Sequence, residues 1–154
     1  RTGVNMDAGA VAALKEHPNI VGLKEASGNI SQVCRLAAHI SEDFSIYSGN
    51  DDQTVPILSL GGRGCISTVS NLIPAAYSRM IHDYLEGNVC EAAKTQVALK
   101  PLIDAIFSEV NPIPVKAALH IMDKCELEYR LPLCPPSNKT QYMLYETLKD
   151  YQLL

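Results

Sequence analysis

The residue in this sequence whose setting points most directly to chemistry is Lys24. It ends the apolar run Ile20-Val21-Gly22-Leu23-Lys24 and is followed by the small-residue stretch Glu25-Ala26-Ser27-Gly28-Asn29. Desolvation penalises a charged ammonium, so a lysine at the mouth of an apolar strand can be neutral nearer pH 7 than a free value of about 10.4 implies. A neutral amine can form a Schiff base with a carbonyl. Most lysines at strand ends instead carry their charge into water and do no chemistry. The run by itself leaves both readings open.

Other residue types exclude whole classes of function. The histidines His17, His39, His82 and His120 are scattered, with no HExxH or comparable spacing, so no metal is expected. Five cysteines (Cys34, Cys65, Cys90, Cys125, Cys134) form an odd set with no CxxC pair. That fits reduced thiols in a cytosol, used as small core residues, better than a disulfide framework. With 154 residues, 47% hydrophobic and 19% charged, the chain can bury a real core. The net charge of -4 and the absence of basic runs argue against a nucleic-acid partner. No stretch approaches the roughly 18 apolar residues of a membrane span, and Arg1-Thr2-Gly3 lacks a signal-peptide core. The missing initiator methionine reads as a chain that begins inside a longer protein.

The elements that must position Lys24 follow from periodicity. Asp7 to Glu16 reads as a short alanine-rich helix stopped by Pro18. Ile20 to Lys24 reads as a parallel strand covered on both faces. Asn29 with Gln32 forms a capping-box-like start for a helix with Val33, Leu36, Ala37 and Ile40 on one stripe. Phe44 to Ser48 is a second strand, and Asp51 to Leu60 a short helix, weakened by Pro56 unless that residue lies in its first turn or at a kink. Cys65 to Val69 is a third strand. Ser70-Asn71 then opens a helix with Ile73, Tyr77, Met80, Ile81 and Tyr84 inward, closed by Gly87. Beyond Gly87 only helices are expected: Asn88 to Val110 kinked at Pro101, one capped by Asn111 and running to about Lys124, and Asn138 to Tyr151.

Three βα units in succession would leave a sheet edge and an apolar inner face uncovered. A (β/α)8 barrel removes the edge, needs about 250 residues and places its active site at the C-terminal ends of its strands. Lys24, the Ser48 to Asp52 loop and the Val69 to Asn71 turn all fall at such ends. The expected fold is therefore α/β: the C-terminal portion of a (β/α)8 barrel over residues 1–87, followed by an all-helical C-terminal domain over residues 88–154.

Arg1-Thr2-Gly3, Gly22-Leu23-Lys24-Glu25-Ala26-Ser27-Gly28, Tyr47-Ser48-Gly49-Asn50-Asp51, Gly61 to Ser67, Ser70-Asn71 and Asn111-Pro112-Ile113-Pro114-Val115-Lys116 together resemble the dihydrodipicolinate synthase family. The resemblance runs along essentially the whole chain, and the order and spacing of the motifs make it specific. It implies that Lys24 is the catalytic lysine that forms an imine with pyruvate. It implies that Arg1 holds the carboxylate of the aldehyde substrate, a task suited to a guanidinium fork. Gly49 and Ile66 match positions whose backbone lies beside the bound substrates, although a turn and the core would account for them equally well. Asn71 could simply cap its helix.

The implied reaction condenses pyruvate with aspartate semialdehyde in lysine (diaminopimelate) biosynthesis, in the cytoplasm. It needs no cofactor and no metal, since the lysine is the covalent electron sink. The family's tyrosine general acid/base, its neighbouring threonine and a tyrosine lent by a second subunit match no residue here. General acid/base assistance is commonly worth about 10²- to 10⁴-fold, so the chain alone is expected to have negligible synthase activity. Its expected partners are the two small substrates and either a second copy or the remaining barrel half. Two alternatives stand beside this reading: a sister lyase such as N-acetylneuraminate lyase or a 2-keto-3-deoxy-sugar aldolase, and a non-catalytic half-barrel that folds by association.

Overall fold

The computed structural model describes residues 3–154. A three-stranded parallel sheet in the order β1-β2-β3 is formed by β1 (Gly22–Glu25), β2 (Ser45–Ser48) and β3 (Gly64–Cys65). The register sets Leu23 beside Ile46, Lys24 beside Tyr47, and Tyr47 beside Gly64. Eight helices are described: α1 (Ala8–Lys15), α2 (Ile30–Ala37), α3 (Thr54–Ser59), α4 (Pro74–Leu85), α5 (Val89–Ala98), α6 (Lys100–Ile106), α7 (Ile113–Ile121) and α8 (Asn138–Asp150).

The chain divides into two compact units. One runs through Ser67 and includes Ile81–Ala93; the other comprises Thr68–Met80 and Lys94–Leu154. In the first, the core joins Val11 of α1, Val33 and Leu36 of α2, Phe44 just before β2, Ile46 of β2, and Ile57 of α3, with Leu23 packed against it. These are the apolar positions that helical and strand periodicities place on one side. In the second unit, Leu102 and Ile106 of α6, Ala118 of α7, and Leu144 and Leu148 of α8 are fully buried.

The helix ends follow the local chemistry. Asp7, Asn29 and Ser137 each accept a backbone N–H at the start of α1, α2 and α8. Gly87, at φ 94°, closes α4: its N–H reaches Tyr84 and the N–H of Asn88 reaches Asp83, the paired bonds of a Schellman cap. Pro56 lies in the first turn of α3, where no internal donor is missed.

Several expectations are corrected. The strand through Lys24 is not covered on both faces: Leu23 and Glu25 point into the core side, whereas Gly22, Lys24 and Tyr47 are exposed on the other. β3 spans two residues rather than five, because Val69–Asn71 winds into a 3₁₀ turn. α4 begins at Pro74, and Asn71 donates to the carbonyl of Thr68 instead of capping it. The helix expected over 88–110 breaks at Leu99, where Pro101 has no N–H to continue the ladder and becomes the first-turn residue of α6. Asn111 does not cap α7; its side chain donates to Thr68 Oγ1, and the Asn111-Pro112 peptide is cis. Gln32 pairs with the Asn5 amide and the Met6 carbonyl rather than closing a capping box. The cysteines are free thiols as expected but not buried core residues: Cys34, Cys90 and Cys134 are exposed, and Cys65 and Cys125 are only partly buried.

Candidate active site

The C-terminal ends of the three strands are stitched together by main-chain hydrogen bonds that extend the ladder. Gly49 N–H donates to the Glu25 carbonyl at 2.6 Å, and Ile66 N–H donates to the Ser48 carbonyl at 2.8 Å. Lys24, Gly49 and Ile66 therefore occupy three consecutive strand ends, the arrangement that a site fed by strand-end loops requires. Arg1, the fourth residue expected at the site, lies outside the described residues.

Lys24 reaches from β1 to Gly49, the residue that follows the neighbouring strand β2. A Cβ built on Gly49 would stand 2.9 Å from Lys24 Cε, 2.8 Å from Ala26 Cβ and 3.1 Å from the Glu25 carbonyl oxygen. Only a glycine lets the lysine stem lie there, since real Cβ atoms do not approach that closely. One strand further on, the Tyr47 ring leans over Gly64, where a Cβ would meet Cδ1 at an ordinary 3.5 Å. The open face thus seats each long side chain over a glycine of the next strand. Ile66 is 53% exposed and not a core residue, because it follows the last residue of β3.

Glu25 points the other way. It is 3% exposed; Oε1 accepts the Ser27 N–H at 3.1 Å, fixing the Ala26-Ser27-Gly28 turn, and Oε2 has no partner among the described residues. It lines a cleft of about 670 Å³ with Asn5, Lys24, Asn29 and Gln32. The cleft lies on the side of β1 that no other strand of the described residues pairs.

The loop after β2 is more elaborate than the sequence indicates. Ser48, fully buried, donates its hydroxyl to the Asn50 carbonyl at 2.7 Å and accepts the Asn50 N–H at 3.2 Å. Asp51, 1% exposed, accepts the hydroxyl of Ser67 in a very short hydrogen bond. The signal for Asp51 and Ser67 was their position, two residues past Gly49 and one past Ile66. No group of three or more His, Cys, Asp or Glu that could hold a metal occurs among the described residues. Lys24 is thus exposed at the end of β1, with its stem against the close backbone of Gly49.

Comparison with known proteins bears on this arrangement. The model of the dihydrodipicolinate synthetase family matches residues 1–151. The chain is 44% identical over 154 residues to a 4-hydroxy-tetrahydrodipicolinate synthase of Alkaliphilus oremlandii, covering 100% of this chain and 53% of that protein. A crystal structure of dihydrodipicolinate synthase from Thermotoga maritima superposes with TM-score 0.96 at 42% identity, covering 100% of this chain and 54% of that one. A chloride-inhibited dihydrodipicolinate synthase from Acinetobacter baumannii, complexed with pyruvate, gives TM-score 0.94 at 33% identity over 100% of this chain and 53% of that one. The chain spans about half the length of these relatives. It belongs to the dihydrodipicolinate synthetase family.

Proposed function

We propose that this chain carries the Schiff-base half of a pyruvate-dependent synthase that condenses pyruvate with aspartate semialdehyde in lysine (diaminopimelate) biosynthesis. The observation that supports it most is the seating of Lys24 over Gly49 at a strand end, in a chain of this family. The Lys24 amine adds to the pyruvate ketone, and loss of water gives the imine. The imine loses a methyl proton to become an enamine, whose carbon bonds to the aldehyde carbon. Attack by the semialdehyde's own amine then displaces Lys24 by transimination and releases the cyclic product. Gly49 and Ile66 supply close backbone beside the substrates, and Arg1 is assigned the aldehyde's carboxylate. Lys24 acts as the electron sink, so the scheme calls for no cofactor.

Residues 1–87 are read as the last part of a (β/α)8 barrel and residues 88–154 as an all-helical C-terminal domain. The unpaired edge of β1, the open face bearing Lys24 and Tyr47, and the orphaned Glu25 oxygen support association with the remaining barrel half or with a second copy. The chain alone is expected to show negligible synthase activity, since the general acid/base the family employs matches no residue here. Five free cysteines fit a reducing cytoplasm, and no helix among the described residues is long and apolar enough to cross a membrane. Borohydride reduction in the presence of pyruvate tests the reading: the adduct is expected on Lys24, and an adduct confined to other lysines would refute it.

A further inference from the structure

We infer that Asp51 is a positioning residue for the Lys24 site, acting through the hydroxyl of Ser67. The inference rests on the Schiff-base reading of Lys24 and adds to it the device that holds the neighbouring backbone in place.

Regular pairing between β2 and β3 ends at Cys65, and the Ile66 N–H on the Ser48 carbonyl is the next rung. Past it the chain leaves the sheet for the 3₁₀ turn Val69–Asn71. Asp51 links the departing segment to the end of β2, because its Oδ1 accepts the Ser67 hydroxyl one residue beyond Ile66. A hydroxyl on a carboxylate is among the stronger protein hydrogen bonds. Asp51 is itself fixed from behind. The Ser48 hydroxyl bonds both the N–H and the C=O of Asn50, and Thr54 Oγ1 donates to the Asp51 carbonyl at 3.3 Å. The Asp51 side chain is itself buried, at 1% exposure. Its work is to fix the Ile66 backbone against Gly49, and so against the lysine stem that lies over Gly49.

Two readouts on the full chain test this. The first is amide hydrogen exchange, which involves no pyruvate. Replacing Ser67 by Ala (Ser67→Ala) should speed exchange at Ile66 about tenfold, while Ser67→Thr, which keeps the hydroxyl, restores protection. The second is the pyruvate dependence of borohydride trapping at Lys24. Ser67→Ala should raise the half-saturating pyruvate concentration about tenfold and leave the maximal rate within about twofold, and Ser67→Thr should reverse the shift. Asp51→Asn shifts both in the same direction and decides the matter if Ser67→Ala does not fold. Wild-type protection at Ile66 in Ser67→Ala would overturn the inference. A pyruvate adduct confined to lysines other than Lys24 would instead overturn the Schiff-base reading, and the exchange comparison would still decide the clamp.

Discussion

Lys24 Cε lies where a Cβ on Gly49 would be 2.9 Å away, so the lysine and the glycine share one site across two strands. Gly49→Ala cannot be absorbed by the lysine alone, since Ala26 Cβ at 2.8 Å and the Glu25 carbonyl at 3.1 Å are also in the way. It is expected to cost about 1–3 kcal/mol as overpacking and to slow trapping at Lys24. Gly64→Ala meets only the Tyr47 ring at an ordinary contact distance of 3.5 Å and should cost less than Gly49→Ala. Urea unfolding of the two variants side by side checks the contrast; equal losses would show that glycine is needed at both places for backbone reasons.

The caps of the first unit should each contribute measurably to its stability. Asp7→Ala and Asn29→Ala each remove an acceptor for an orphan helix N–H, from Ala10 and Gln32 respectively. Each is expected to cost about 1 kcal/mol. Thermal denaturation gives the cost, and a loss well under 0.3 kcal/mol would mean that water replaces the cap.

Gly87 closes α4 at φ 94°, a left-handed conformation that strains any side chain. No atom lies within 4 Å of a Cβ built there, so the penalty for Gly87→Ala is conformational, about 1–2 kcal/mol. Gly87→Asn should recover part of it, and denaturant midpoints of the two variants measure the difference.

The second unit carries a pH dependence of definite sign. Hydrogen bonds from the Thr140 hydroxyl and then the Ser137 N–H hold the half-buried Glu109 carboxyl below the usual carboxylate range. A depressed carboxyl stabilises the fold above its unfolded-state pKa, and that contribution is lost as pH falls through the folded-state value. Thr140→Val, which removes the leading cause, should lower the urea midpoint near pH 7 and match wild type more closely near pH 3. A gap that widened on acidification would reverse the assignment.

Much of this architecture is legible in the sequence wherever one residue carries a local cause. Asp7, Asn29 and Gly87 announce helix ends because their side chains, or the lack of one, satisfy the terminal groups directly. Lys24, Gly49 and Ile66 fall at consecutive strand ends as the motif order implies. What stayed hidden depends on distant partners. Asn111 has the chemistry of a cap but donates to Thr68, 43 positions away. Gln32 completes a capping-box pattern yet pairs with Asn5. The strand through Lys24 looked buried because Ile20, Val21 and Leu23 are apolar, and composition does not say what covers a face: Val21 is 68% exposed. Asp51 and Ser67 are 16 positions apart, and neither residue type predicts the other.

The most direct measurement of the central claim is peptide mapping after pyruvate and borohydride treatment of the wild-type chain beside Lys24→Arg. The account predicts one reduced pyruvate adduct, on Lys24, and none in the variant. An adduct of equal yield in Lys24→Arg, or one placed on another lysine of the wild type, would contradict it.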